Sequence, residues 1–113
     1  MVTDKQHRMY LSTAMVTEAR RDAVFRAISE PTRRRILDLL ADRERAVKEL
    51  VPQFRMSQPA LSQHLRVLRD AGLVRIRRQG RMRVYSVDPR PLREVSDWVG
   101  RYQRPQPGNA NEG

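Results

Sequence analysis

The period of the sequence changes abruptly at Gly72, and this change restricts the possible folds more than any other feature. Over residues 57–71 the apolar positions recur at intervals of three and four, which is typical of a helix. On a helical wheel these positions span an arc of about 60°; they are Leu61, Leu65 and Leu68. Ser57 is a good N-cap, and glycine is the expected residue just after a helix. A capped helix therefore ends here.

A β-hairpin is predicted directly after this helix. Residues 73–78 and 82–87 are rich in β-branched side chains, and these alternate with charged or polar ones. Such alternation is typical of strands. Gln79-Gly80 lies between the two segments and supplies a residue that adopts a positive φ at little cost. Residues 73–87 thus form a hairpin whose tip is strongly basic.

The rest of the chain is predicted to be helical. Apolar spacing predicts helices from Leu11 to Ile28, from Pro31 onward, over residues 46–53, and along a stripe that begins at Leu92. The fold class is therefore mainly α with a small β-hairpin, in the order α-α-α-α-β-β-α. With 113 residues the chain has room for one small domain. We expect a flexible N-terminal arm at 1–14, a domain at 15–104 and a disordered tail at 105–113.

The order of these elements predicts a winged helix-turn-helix. A short helix, the tight connection Phe54-Arg55-Met56 and the capped helix 57–71 form a helix-turn-helix. The basic hairpin 73–87 follows at once and is the wing. In such domains one helix reads the major groove of DNA while neighbouring elements hold the backbone.

The charge of the chain favours a nucleic-acid partner. Lys and Arg number 23 and Asp and Glu number 13, a difference of 23 − 13 = +10. Nine of these ten excess charges lie between residues 31 and 87. A field this concentrated steers a polyanion towards one face. All but two of the basic residues are Arg, which suits bidentate contacts to phosphate and guanine. We therefore expect domain 15–104 to bind double-stranded DNA.

Two groups of residues are the candidate DNA contacts. On helix 57–71 a face of hydroxyl, amide and guanidinium groups lies away from the leucines, and this is the chemistry of base readout; an ordinary solvated face is the alternative. The candidates there are Ser57, Gln58, Pro59, Ser62, Gln63, His64 and Arg66. On the wing they are Arg77, Arg78, Arg81 and Arg83.

His64 lies at the edge of the apolar stripe, about 60° from the leucine arc. We expect it to orient the helix through a hydrogen bond, with a DNA phosphate as one candidate partner. A role as a pH switch is the alternative, since histidine titrates near neutral pH.

Three segments resemble the ArsR/SmtB family of bacterial repressors. They are residues 27–37 (AISEPTRRRIL), 57–74 (SQPALSQHLRVLRDAGLV) and 77–85 (RRQGRMRVY). The resemblance covers roughly residues 17–102. It implies a homodimer whose interface is formed by the first and last helices, and a repressor that binds an imperfect palindrome at promoters. The residues expected at this interface are Val24, Leu92, Val95, Trp98, Val99 and Tyr102.

The metal ligands of the metal-sensing members are missing. The chain has no cysteine, and residues 91–102 contain Glu94 and Asp97 but no His. Carboxylates alone are a poor site for zinc or a thiophilic metal. We therefore expect no metal site, no cofactor and no response to metals. Whether a small molecule or a protein acts as the effector stays open.

Other function classes are less compatible with the sequence. An enzyme is not expected, because there is no Gly-rich phosphate loop and no nucleophile–base pair. An RNA-binding or ribosome-associated basic module is the alternative function, although only Tyr85 offers an aromatic ring within the wing. A protein-interaction adaptor is the third. No apolar run is long enough to span a membrane and no signal peptide is visible. We expect a bacterial cytoplasmic protein that associates with the nucleoid when bound to DNA.

Overall fold

The computed structural model describes residues 17–103, and it confirms the mainly helical fold with a small antiparallel sheet. The helices are α1 (17–28), α2 (Pro31–Asp42), α3 (Val47–Leu50), α4 (Gln58–Asp70) and α5 (Arg93–Gln103). The strands are β1 (Arg45–Ala46), β2 (Val74–Gln79) and β3 (Met82–Val87). The predicted arm, the predicted start of the first helix and the predicted tail lie outside the described residues.

The junction of α1 and α2 lies at Ser29 and Glu30, between the predicted end of the first helix at Ile28 and the predicted start of the second at Pro31. Glu30 is the N-cap of α2, and its Oε2 accepts a hydrogen bond from the backbone N–H of Arg33 at 3.0 Å. Pro31 follows in the first turn, where its missing N–H costs nothing. The carboxylate also suits the positive end of the helix dipole.

The third helix is shorter than predicted. Only residues 47–50 are α-helical, and a 3₁₀ turn over Val51–Gln53 replaces the rest of the predicted 46–53 segment. Pro52 lies in this turn, and proline is unfavourable inside an α-helix because it lacks the N–H.

A strand that the sequence did not predict precedes the third helix. The two residues of β1 pair with β3, with Arg45 opposite Tyr85 and Ala46 opposite Val84. The sheet is therefore three-stranded, in the order β1-β3-β2.

In the hairpin β3 has the predicted bounds, whereas β2 begins and ends one residue later than predicted, so that the turn also lies one residue further on. Val74 pairs with Val87 and Gln79 pairs with Met82, which leaves Gly80 and Arg81 as the two-residue loop. Gly80 has φ +62°, and no non-glycine residue in the described part of the chain has a positive φ. Glycine at the first loop position is typical of a type II′ turn, which matches the twist of the strands.

The core lies between the helices and the inner face of the sheet. It includes side chains from α1, α2, α3 and α4 and from the residue that precedes β2, among them Val24, Ala27, Ile36, Leu40, Leu50, Leu61, Leu65, Leu68 and Leu73. The three leucines of the predicted helical arc are all buried. Among residues 17–103, no helix combines the length and the apolar character that crossing a membrane requires.

Candidate nucleic-acid interface

Helix α4 begins at the predicted cap and presents a polar face outward. The hydroxyl of Ser57 accepts a hydrogen bond from the backbone N–H of Ala60 at 3.3 Å, and Pro59 lies in the first turn. The exposed side chains are Gln58, Pro59, Ser62, Gln63, Arg66, Arg69 and Asp70. Neither Ser62 nor Gln63 makes a side-chain hydrogen bond to any described residue. Donors and acceptors on this face are thus free for a ligand.

His64 is half-buried and is held by the start of α2. Its Nδ1 lies 3.2 Å from Nη1 of Arg33 and 3.8 Å from Oε2 of Glu30. A guanidinium only donates hydrogen bonds, so Nδ1 accepts one and the ring proton of the neutral histidine is on Nε2. The expected orienting hydrogen bond is therefore present within the chain, and its partner is Arg33.

Arg33 and Arg34 fasten the end of α1, a role that the sequence did not predict. Nε of Arg33 donates to the carbonyl of Ala27 at 2.7 Å, and its Nη2 donates to that of Arg26 at 3.1 Å. Arg34 donates to the carbonyl of Ile28 at 2.7 Å. These carbonyls belong to the last turn of α1, where the i+4 N–H of a continuing helix is missing, and the carbonyl of Arg26 also accepts from the N–H and hydroxyl of Ser29. Arg33 consequently links α1, α2 and α4.

Two arginines of the wing are committed to carboxylates. Arg75 binds Asp88 at 2.9 Å. Arg77, one of the four predicted DNA contacts, donates through Nε and Nη2 to both oxygens of Glu44. The hydrogen bond from Arg77 lowers the pKa of Glu44, so this carboxylate stays charged. Arg77 therefore links β2 to the residue that precedes β1.

Asp88 connects the end of β3 to the residues that precede α5. Its side chain is buried and accepts from Arg90 at 2.9 Å as well as from Arg75, and its backbone N–H donates to the carbonyl of Leu73. Hydrogen bonds from Arg90 hold the pKa of Asp88 well below its usual range; burial opposes them, and Arg75 lowers the pKa further.

The other wing arginines have no partner in the described part of the chain. Arg78, Arg81 and Arg83 make no ion pair or hydrogen bond there, and all three are exposed. Arg78 and Arg83 lie directly opposite each other across the hairpin. Like charges in that position destabilise a sheet unless an anion offsets them. Arg55, which precedes α4, and Arg69, in its last turn, are exposed and likewise have no partner among the described residues.

The described residues do not form a metal site. The sequence has no cysteine. Within residues 17–103 no three His, Asp or Glu side chains are grouped so that they could hold a metal ion.

Aromatic side chains of α1 and α5 form a partly exposed cluster. Phe25 and Trp98 meet edge to face with ring centroids 5.5 Å apart, and Trp98 meets Tyr102 at 5.2 Å. Trp98 is 44% exposed and Tyr102 is 75% exposed. Leu92, Val95 and Val99 are half-buried beside them.

Val24 is placed differently from the other predicted interface residues. Its side chain is only 2% exposed and belongs to the core of the single chain. Almost no surface of Val24 is left for another chain to cover, because its helical face points inward.

Comparison with known proteins assigns the chain to a family. Residues 30–75 match the model of the bacterial regulatory proteins of the arsR family. The chain is 37% identical over 76 residues to the transcriptional repressor SdpR of Bacillus subtilis, covering 67% of this chain and 84% of that protein. It is 41% identical over 81 residues to the HTH-type transcriptional regulator Rv2034 of Mycobacterium tuberculosis, covering 72% and 76%.

A solved structure agrees with these relatives. The crystal structure of an ArsR family transcriptional regulator superimposes with a TM-score of 0.70 and 31% identity, over 76% of this chain and 89% of that one. The fold, the sequence relatives and the exposed arginines all indicate the same role, which is not that of an enzyme. The chain belongs to the ArsR family and is a DNA-binding transcriptional regulator with a winged helix-turn-helix fold.

Proposed function

We propose that the protein is a dimeric repressor that binds a palindromic promoter site through α4 and the wing and does not respond to metals. The observation that carries this proposal is that some arginines of the wing are paired with carboxylates and others are not. Those of the wing base are paired with Asp88 and Glu44, whereas those of the wing tip have no partner among the described residues. Unpaired guanidinium groups beside a free polar helix face suit a duplex with charged backbones and readable base edges.

Base reading is assigned to the exposed face of α4. Gln63 and Arg66 lie in the middle of the helix, and an amide or guanidinium can form bidentate contacts to adenine or guanine. Nε of Arg66 is 4.0 Å from Asp70, a separation too long to hold it firmly. Gln58, Pro59 and Ser62 continue this face towards the N-terminus, where Ser57 caps the helix.

Backbone contacts are assigned to Arg78, Arg81 and Arg83. Removing one phosphate contact lowers the slope of log K against log salt by about one. Arg77 is not included, because Glu44 engages its Nε and Nη2 and neutralises its charge.

Dimerisation is assigned to the aromatic cluster of α1 and α5. An exposed Trp98 and Tyr102 next to half-buried aliphatic side chains form an apolar surface on a chain with a thin core. A two-fold dimer binds two half-sites related by the same symmetry, which accounts for a palindrome. A repressor role is supported by the relative named as a transcriptional repressor.

The operator can be identified by sequencing the DNA bound to the protein in its native cell. Titrations would then compare three ligands: the recovered operator, a scrambled duplex and a matched single-stranded RNA. Tight binding to the operator alone is expected, and zinc, cadmium or arsenite should not release it. Preference for the RNA would favour the RNA-binding alternative. Release of the operator by a stoichiometric metal would contradict the proposal that the protein does not respond to metals.

Two variants separate base reading from charge. Gln63→Ala should cost about 1–3 kcal/mol on the operator and much less on the scrambled duplex. Arg81→Ala should weaken both duplexes and reduce the salt slope by about one. Equal losses on both duplexes for Gln63→Ala would show that another face reads the bases.

A further inference from the structure

Helix α4 and the inner face of the hairpin enclose a basic cleft. It consists of two adjoining hollows of about 410 and 520 Å³, which share Arg69 and Arg83. Ser62 and Arg66 line the first hollow, and Arg78 lines the second. We call this region the arginine cleft.

The register of the hairpin explains why its arginines face α4. Ile76 pairs with Tyr85, and two positions further along Arg78 pairs with Arg83. Alternate residues of a strand share a face, so these two arginines extend the face on which Ile76 and Tyr85 pack against the core. The guanidinium groups thus border an apolar floor of Leu65, Ile76 and Tyr85.

Three of the arginines that line the arginine cleft have no acidic partner among the described residues. Arg69, Arg78 and Arg83 make no ion pair with any described residue. Arg75, at the far edge, is neutralised by Asp88. The acidic group lining the first hollow is Asp70, 4.0 Å from Arg66. Three free guanidinium groups around one cleft match the oxygens of a phosphate, to which arginine binds with a planar fork.

We propose that the arginine cleft is a phosphate site that takes one phosphodiester of a DNA strand between α4 and the wing. This inference rests on the proposed function. A helix in the major groove and a wing over the neighbouring minor groove straddle the backbone that separates those grooves. The cleft lies between the same two elements, and its apolar floor suits the adjoining deoxyribose. Arg69, which base reading does not use, thereby becomes a backbone contact.

The test replaces single phosphates of the operator by uncharged methylphosphonates. For the unaltered protein, one linkage in each half-site should stand out, with affinity about ten-fold weaker when it is neutral. For Arg69→Gln the affinity for the normal operator should fall by a similar factor, and neutralising that linkage should cause little further loss. Arg83→Gln should give the same pattern. Arg93→Gln removes an exposed, unpaired arginine at the start of α5 and should keep the unaltered profile.

The outcomes separate this inference from the proposed function. If the unaltered protein binds no duplex, the proposed function fails. If it binds the operator but Arg69→Gln and Arg83→Gln keep both affinity and methylphosphonate profile, the arginine cleft is not a backbone site. A titration with sodium tripolyphosphate distinguishes a free anion: binding that Arg69→Gln abolishes, together with unchanged operator affinity, would overturn the assignment to DNA. Circular dichroism and a thermal melt confirm that each variant is folded.

Discussion

Glu44 neutralises Arg77, which would otherwise add a positive charge to the surface that we propose binds DNA. Its two oxygens hold Arg77, whose neighbour Arg78 has no such partner. Glu44→Gln should therefore strengthen binding to random duplex and steepen the salt slope by about one, since a further cation becomes available. Glu18→Gln is the control, because it removes the same charge from an exposed position of α1. Titration of a scrambled duplex over a salt series measures the affinity and the salt slope of both variants. Equal gains in affinity for Glu44→Gln and Glu18→Gln would mean that net charge alone is responsible.

Asp88 makes stability depend on pH at the acidic end. Its pKa is lower in the folded chain than its ordinary value of 3.8. The stabilisation is therefore fully present above that value and is lost as the pH falls towards the folded pKa. Asp88→Asn should be less stable than the unaltered chain at pH 7, and the difference should shrink between pH 4 and pH 2. Urea melts across this range measure it.

Asp38→Asn is the control for that series, because Asp38 is exposed on α2. It should leave the acidic limb of the stability curve unchanged. A constant difference between Asp88→Asn and the unaltered chain from pH 7 to pH 2 would contradict the role assigned to the carboxylate charge.

At the scale of elements, two glycines with open surroundings should respond in opposite directions. A Cβ at Gly80 or at Gly100 would meet no atom within 4 Å, but Gly80 alone has a left-handed φ, of +62°. Gly80→Ala should cost about 1 kcal/mol from backbone strain in the hairpin turn. Gly100→Ala should stabilise α5 by about 0.5–1 kcal/mol, because alanine is the better helix former. Unfolding in urea measures both, and a stabilising Gly80→Ala would refute the turn geometry.

The elements with strong local signals could be predicted from the sequence. Ser57 and Gly72 bound α4 because a hydroxyl cap and a residue with φ +78° are local requirements of helix ends. Strand β1 was not predictable in this way, since two residues carry no alternation and their pairing with β3 depends on contacts distant in sequence. The third helix is shorter than its apolar spacing predicts, because Pro52 lies in a 3₁₀ turn that follows the α-helix.

Which arginines are paired within the chain could be predicted only in part. Composition places the excess positive charge between residues 31 and 87, but the partners of Arg77 and Arg33 lie 33 and 31 positions away, in Glu44 and His64. No local pattern reports such a pairing. The role proposed for Arg69 has no local signal either, because in sequence it is an ordinary basic residue in the last turn of a helix, where the dipole favours it.

At the scale of the whole molecule, the aromatic cluster predicts the oligomeric state. Trp98→Asp places a charge at the centre of the exposed apolar surface of α5 and should yield monomers that no longer bind the operator tightly. Ser96→Asp adds the same charge at an exposed position off that stripe and should leave the assembly intact. Analytical ultracentrifugation at micromolar concentration measures the result, and a monomeric unaltered chain would exclude the proposed dimer.

Some polar residues are hydrogen-bonded within the chain and others are not, and this difference affects how such a protein can change during evolution. Arg33 and Asp88 hold helices and strands together, whereas Ser62, Gln63 and Arg81 form no bond with the described chain. Substitutions at exposed sites of the second kind usually change folding free energy by less than about 0.5 kcal/mol. Under the base reading proposed for α4, duplicated copies can therefore exchange Ser62 and Gln63 and acquire new target sites while they keep the same scaffold, so that a regulatory network grows without new folds.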